Sequence, residues 1–273
     1  GEHPLSLART FRSSWIIGTA PGASGMGPGS RHRYAVNLVP SIDATHERVR
    51  ITFGDGSGRS FSRPISPGGW APDNSNDGLS SDISGYTYRN ADDDSLWRFD
   101  ALGRLLTHTQ RNGWVMNYSY NASGQLAQVT NHFGRSMAFA YNAAGLLQTV
   151  TPPDGQAINY TFDSEQRLSR VDYPDGKFKT YLYENPAFAQ LLTGIVDENG
   201  TRFASFAYDT FGRAISTEHA GGVEKYTVDY GATPADRTTV TDPLGTPRGY
   251  GYSIQLGKLA VTSADKPSAK LAE

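Results

Sequence analysis

The feature that most constrains this chain is an internal repeat. From Phe99 the sequence reads FDALGRLL, then YNASGQLAQV from Tyr120, YNAAGLLQTV from Tyr141 and FDSEQRLSRV from Phe162. YENPAFAQLL follows from Tyr183, YDTFGRAIS from Tyr208 and a decayed copy from Tyr230. The first four steps are 21 residues each, the next 25 and the last 22. A fixed period marks a chain built from one supersecondary unit stacked on itself, so the fold class follows from what one unit can be.

Each unit is punctuated twice. An aromatic-Asn/Asp-x-x-Gly turn places Gly103, Gly124, Gly145 and Gly212 four residues after the aromatic. A second turn centres on Asn112-Gly113, Phe133-Gly134, Asp154-Gly155, Asp175-Gly176, Asn199-Gly200 and Gly221-Gly222. Asn, Asp and Gly tolerate positive φ, which makes these pairs hairpin signals. The runs between turns are of strand length. After the second turn they alternate: Met116, Tyr118 and Tyr120 oppose Val115, Asn117 and Ser119. Met137, Phe139 and Tyr141, then Ile158, Tyr160 and Phe162, repeat that side, and Tyr181, Tyr183, Phe206 and Tyr208 continue it. The other run carries Leu105, Leu126, Leu147 and Leu168, with Val129, Val150 and Val171. Leu126 and Val129 are three apart, which a flat strand would send to opposite faces. A bulge, or burial on both sides, is expected there.

The expected fold is all-β: about seven tandem antiparallel β-hairpins laid edge to edge as one long coiled sheet. A sandwich, or a propeller whose blade takes two repeats, is the alternative that spacing leaves open. The organisation reads as a β-rich N-terminal capping region over 1–95, repeats over 96–252, and a partial repeat or tail over 253–273. The leader has strand-like runs at 33–38 and 49–53 and Gly/Pro/Ser loops at 18–30 and 66–85. Tyr86–Arg89 is expected to pair with Leu96–Phe99 across Asp92-Asp93-Asp94. Such a leader suits the atypical end unit that a repeat array needs at an open sheet edge.

The bulk numbers exclude several classes. With no cysteine there is no disulfide framework and no thiolate metal site. The balance of 25 basic and 27 acidic residues gives no electrostatic draw toward nucleic acid or an acidic membrane. No apolar run approaches the length of a membrane-spanning helix. Beginning at Gly1 and ending in polar sequence at Glu273, the chain reads as a fragment of something longer. The six histidines lack zinc-motif spacing, no G-x-S-x-G elbow exists, and Gly251 to Lys258 departs from a P-loop in spacing and in Leu259. Asp92-Asp93-Asp94 reads as a solvated turn before it reads as a calcium site. No catalytic, cofactor or metal residue is assigned. Trp97 and Trp114 are the candidates for stacking a sugar on an aromatic-rich sheet, against the plainer expectation of core packing.

YDTFGR at 208–213, VTDPLG at 240–245 and GYGY at 249–252 resemble the YD repeat of Rhs proteins. PLSLARTFRSS at 4–14, GMGPGSRHRY at 25–34 and GYTYRNADDDSLWRFDALGRL at 85–105 are similar to the segment that precedes those repeats. Asn185-Pro186 departs from the pattern, replacing the usual Gly turn with an insertion. The resemblance implies a hollow β-shell that encloses a C-terminal toxin domain, as in Tc-toxin C components. Such shells are delivered by bacterial secretion systems, type VI among them, or by toxin complexes; the related teneurin shells act in adhesion. It implies a structural segment and not an enzyme, with no cofactor, and a secreted or cell-surface bacterial location. The implied partners are the parent protein's toxin cargo, secretion-system spike or chaperone proteins, and, in the adhesion alternative, cell-surface glycans. No residue matches the autoproteolytic core of such shells. An enzyme of unrecognised type would need a pocket of clustered titratable groups.

Overall fold

The computed structural model describes residues 5–16, 24–65, 68–73, 75–231, 237–255 and 258–265. Among them, regular structure is almost wholly β, with 3-10 turns at Ser13–Trp15 and Ala220–Gly222. Eighteen strands, from Gly78–Asp82 to Lys258–Ala264, form one antiparallel sheet in chain order. Tyr86 pairs with Phe99 and Tyr88 with Trp97, as the leader's end had indicated. Each strand pairs with its successor throughout. Leu126–Thr130, for instance, lies between Val115–Tyr120 and Ser136–Tyr141. Propeller blades would break this continuity every four strands. The strand order can be drawn as a closed ring. In that ring Lys258–Ala264 neighbours Gly78–Asp82, and Ala71–Pro72 also lies close to Gly78–Asp82. A twisted sheet this long must coil or curl.

The bulge is real, and it recurs. Tyr120 faces Leu126 and Ser119 faces Gln128, so Ala127 is an extra residue. The same slip follows Leu105, Leu147 and Leu168. One extra residue turns a spacing of three into two side chains on one face. Leu126, Val129, Leu147, Val150, Leu168 and Val171 are accordingly all buried. The neighbouring strands supply Met116, Tyr118, Met137, Phe139 and Tyr160 to the same core, while Asn117, Ala138, Ala140, Asn159 and Thr161 are exposed.

A single sheet buries an apolar face only against a second layer. The N-terminal region supplies that layer, so it does more than flank the first strand. It holds a ribbon of Arg9–Phe11 with Ser30–His32, and a four-stranded sheet of Asn37–Ile42, His46–Thr52, Gly58–Pro64 and Ala71–Pro72. Tyr34 meets Tyr118 and Phe139 edge-on, and His32 stacks on Phe139 at 5.4 Å. Phe53 and Phe61 pack on Tyr88. Close backbone approach fixes the two layers together. The Leu147 N–H donates to the Gly25 carbonyl (2.7 Å), and the Leu38 N–H to that of Gly103 (2.9 Å). Gly27, at φ +76°, leaves no space: a Cβ there would lie 2.2 Å from the Gln166 carbonyl oxygen. The most deeply buried apolar side chains end at Ala204; beyond it Phe206, Tyr208 and Tyr230 are half-buried, and Tyr226 and Tyr252 are exposed.

Candidate functional site

The chemistry that recurs in this chain lies in its turns. At Asp163 the strand ends and the backbone reverses. Asp163 Oδ1 accepts the N–H groups of Glu165 and Arg167 at 3.0 and 2.9 Å, and Oδ2 accepts Arg167 Nε at 2.7 Å. Asp100 with Arg104, and Asp209 with Arg213, repeat the arrangement. Asn121 and Asn142 keep the two backbone bonds without the ion pair. Gly103, Gly124, Gly145 and Gly212 take φ of 75–77°, and Gln166 occupies the corresponding place at φ 61°.

Where the aromatic at the first turn is a tyrosine, its hydroxyl ties its unit to the one before. Tyr120 Oη donates to the Leu105 carbonyl (2.9 Å), Tyr141 to Leu126 (3.0 Å) and Tyr183 to Leu168 (3.0 Å). Tyr208 reaches Leu192 and Tyr230 reaches Ala214, so the tether survives the insertion after Tyr183. Burial pushes the Tyr141 phenol up to about 12, so it remains a donor throughout the neutral range. The arginine closes the circuit. Arg104 lies 5.2 Å over the Tyr120 ring, Arg167 4.7 Å over Tyr183 and Arg213 4.4 Å over Tyr230. Tyr, Asp, Gly and Arg thus act as a connector between successive hairpins.

Residues 99–230 match the family model of the teneurin YD-shell. The repeat segment over 99–230 is of the YD-shell type. Among solved structures this YD-repeat chain is similar to one in a TcdB2–TccC3–Cdc42 crystal structure, at 14% identity and a TM-score of 0.40, over 80% of this chain and 15% of that one. It is also similar to one in the Photorhabdus luminescens Tc holotoxin pore, at 12% identity and a TM-score of 0.40, over 85% of this chain and 16% of that one. The YD-repeat segment therefore spans about a sixth of those chains. No curated protein sequence matches it.

Trp97 faces inward. Its ring stacks on His108 at 3.8 Å, meets Phe53 edge-on at 5.3 Å, and its Nε1 donates to Ser95 Oγ. Trp114 sits at a hairpin end, near-parallel to His132 at 6.3 Å and edge-on to Phe133 at 5.2 Å. The structure does not bring the two tryptophans together; each belongs to its own cluster. Sequence reasoning did not single out Arg9 and His32. Arg9 lies over Tyr160 and Tyr181 at 5.6 and 5.9 Å, and His32 is 1% exposed with neither ring nitrogen hydrogen-bonded. No period marks either residue, because both lie in the layer laid over the repeats.

Proposed function

We propose that this segment forms part of a shell that encapsulates, and helps deliver, a toxin domain carried by the same parent protein. The family match over 99–230 supports a structural role for the repeat array. The observation favouring enclosure is the inner face itself. Over the early repeats it is covered by the chain's own N-terminal region, whereas over the late ones it continues as Phe206, Tyr208, Tyr226 and Tyr252 with less cover. A partly open aromatic face suits contact with a second body. On this reading the parent protein is secreted or displayed at the bacterial surface, serves interbacterial competition, and meets a spike or chaperone protein on the way.

The test is a photocrosslinking residue at Tyr226 or Tyr252 in the full parent protein. Crosslinks from both positions into a downstream domain are expected, with none from the outward Leu102. Crosslinks confined to the repeats themselves would refute enclosure. A second reading, glycan or adhesion contact, draws on the half-exposed Trp114 with exposed His132 and Phe133. Glycan-array binding lost in Trp114→Ala would support it; silence across a broad array would end it.

A further inference from the structure

Between the N-terminal ribbon and the inner face of the middle repeats lies a cavity of about 530 Å³, within the range of small-molecule sites. Its walls include Arg9, Ser13, Tyr181, Tyr183, Phe206 and Tyr208. The lining is mainly apolar, and its charge is one-sided. Arg104, Arg167, Arg213 and Arg248 each have an aspartate partner within 3.0 Å. Arg12, which also lines the cavity, has the Asp55 carboxylate close enough to feel its charge. Arg9 has no carboxylate partner among the described residues. Its guanidinium rests against Tyr160 and Tyr181, bonds only the Tyr173 hydroxyl at a long 3.4 Å, and keeps Nη1 shielded from solvent with no acceptor. Arg9 is half-buried, and an anion that reached its guanidinium from the cavity side would gain a charge-assisted hydrogen bond.

We infer that this cavity is a binding site for a small apolar molecule carrying one carboxylate, with the acid directed to Arg9 and the apolar body against Tyr181, Phe206 and Tyr208. Binding in this cavity would be independent of any toxin cargo.

The experiment is calorimetric titration of the protein with decanoate below its micellar concentration, with decanol as the uncharged control. Saturable 1:1 binding of decanoate is expected, with decanol weaker by roughly 10–100-fold, the worth of a charge-assisted hydrogen bond. Arg9→Met is expected to erase that preference, and Arg9→Lys to retain most of it. Ala214→Trp places a large ring at an exposed position on the cavity wall without touching Arg9, and is expected to abolish binding of both probes. If Arg9→Met does not fold, the decanoate–decanol comparison and Ala214→Trp decide the matter. Non-saturable binding, equal affinity for the two probes, or full binding in Ala214→Trp would overturn the assignment.

Discussion

His32 makes the seam between the two layers sensitive to acid. The imidazole is enclosed, stacked on Phe139, and paired across the ribbon with Arg9. Burial lowers its pKa from 6.5 to about 4, and the Arg31 charge pushes the same way. The Ser24 carbonyl acts weakly in the other direction, yet neither ring nitrogen reaches a hydrogen-bond partner. The folded seam therefore holds His32 neutral, while an opened seam lets it titrate normally. Between pH 6.5 and about 4 the opened state binds more protons, so stability is complete above that window and falls as the pH drops through it. Near pH 4.5 the two pKa values correspond to a loss of about 2–3 kcal/mol, an increase in opening of some tens of fold. The Leu147 amide reports the event, because it donates to Gly25 across the seam. Its hydrogen-exchange protection factor, corrected for intrinsic rate, is expected to fall by that amount between pH 7 and 4.5. His32→Phe is expected to flatten the dependence while retaining a ring against Phe139. Carboxylates elsewhere, such as Asp77, titrate in both proteins, so the difference between them isolates the histidine. An equal pH dependence in the two proteins would refute the argument.

Other perturbations test the hairpin connector and the core. Tyr160→Ala removes a ring that is 6% exposed and is expected to cost about 3–5 kcal/mol in urea unfolding; a change within about 0.5 kcal/mol would show that the aromatic face is not core. Gly103 and Gly113 both have positive φ, but a Cβ at Gly103 would lie 1.9 Å from the Leu38 carbonyl oxygen, whereas at Gly113 nothing lies within 4 Å. Gly113→Ala is therefore expected to cost about 1–2 kcal/mol and Gly103→Ala distinctly more, measured as the shift in denaturation midpoint. Asp163→Asn keeps the backbone bonds, as Asn121 and Asn142 do, and loses only the Arg167 ion pair; a cost below about 1 kcal/mol is expected. Asp163→Ala loses the turn's acceptor as well, and should exceed that clearly by the same measurement.

The period and its turns were legible because their causes are local. Positive φ at Gly124, the Asn121 side chain bonding Ser123 and Gln125, and the alternation from Met116 to Tyr120 all lie within a single 21-residue unit. The bulge was legible for a related reason: Leu126 and Val129 cannot share a face on a regular strand, and an apolar pair three apart forces either a kink or a second buried side. The tyrosine tether was not, although its spacing is regular. That Tyr141 reaches the Leu126 carbonyl depends on how one hairpin settles against the next.

Trp97 marks the limit of reading residue types alone. As a tryptophan in an aromatic-rich strand it could stack a ligand or fill a core, and only the position of Phe53, from the other layer, shows that its inward face is packed. The amino-acid order dictated the repeating hairpin, its turn chemistry and which side of each strand is greasy, since these follow from backbone torsion and side-chain alternation over a few residues. What lies on that side was decided by folding. Arg9 meets Tyr173 across 164 positions of chain, and His32 comes to rest on Phe139, through contacts that no local pattern encodes. A one-layer sheet must be covered, and which segment covers it depends on shape and close backbone approach between parts of the chain that share no period.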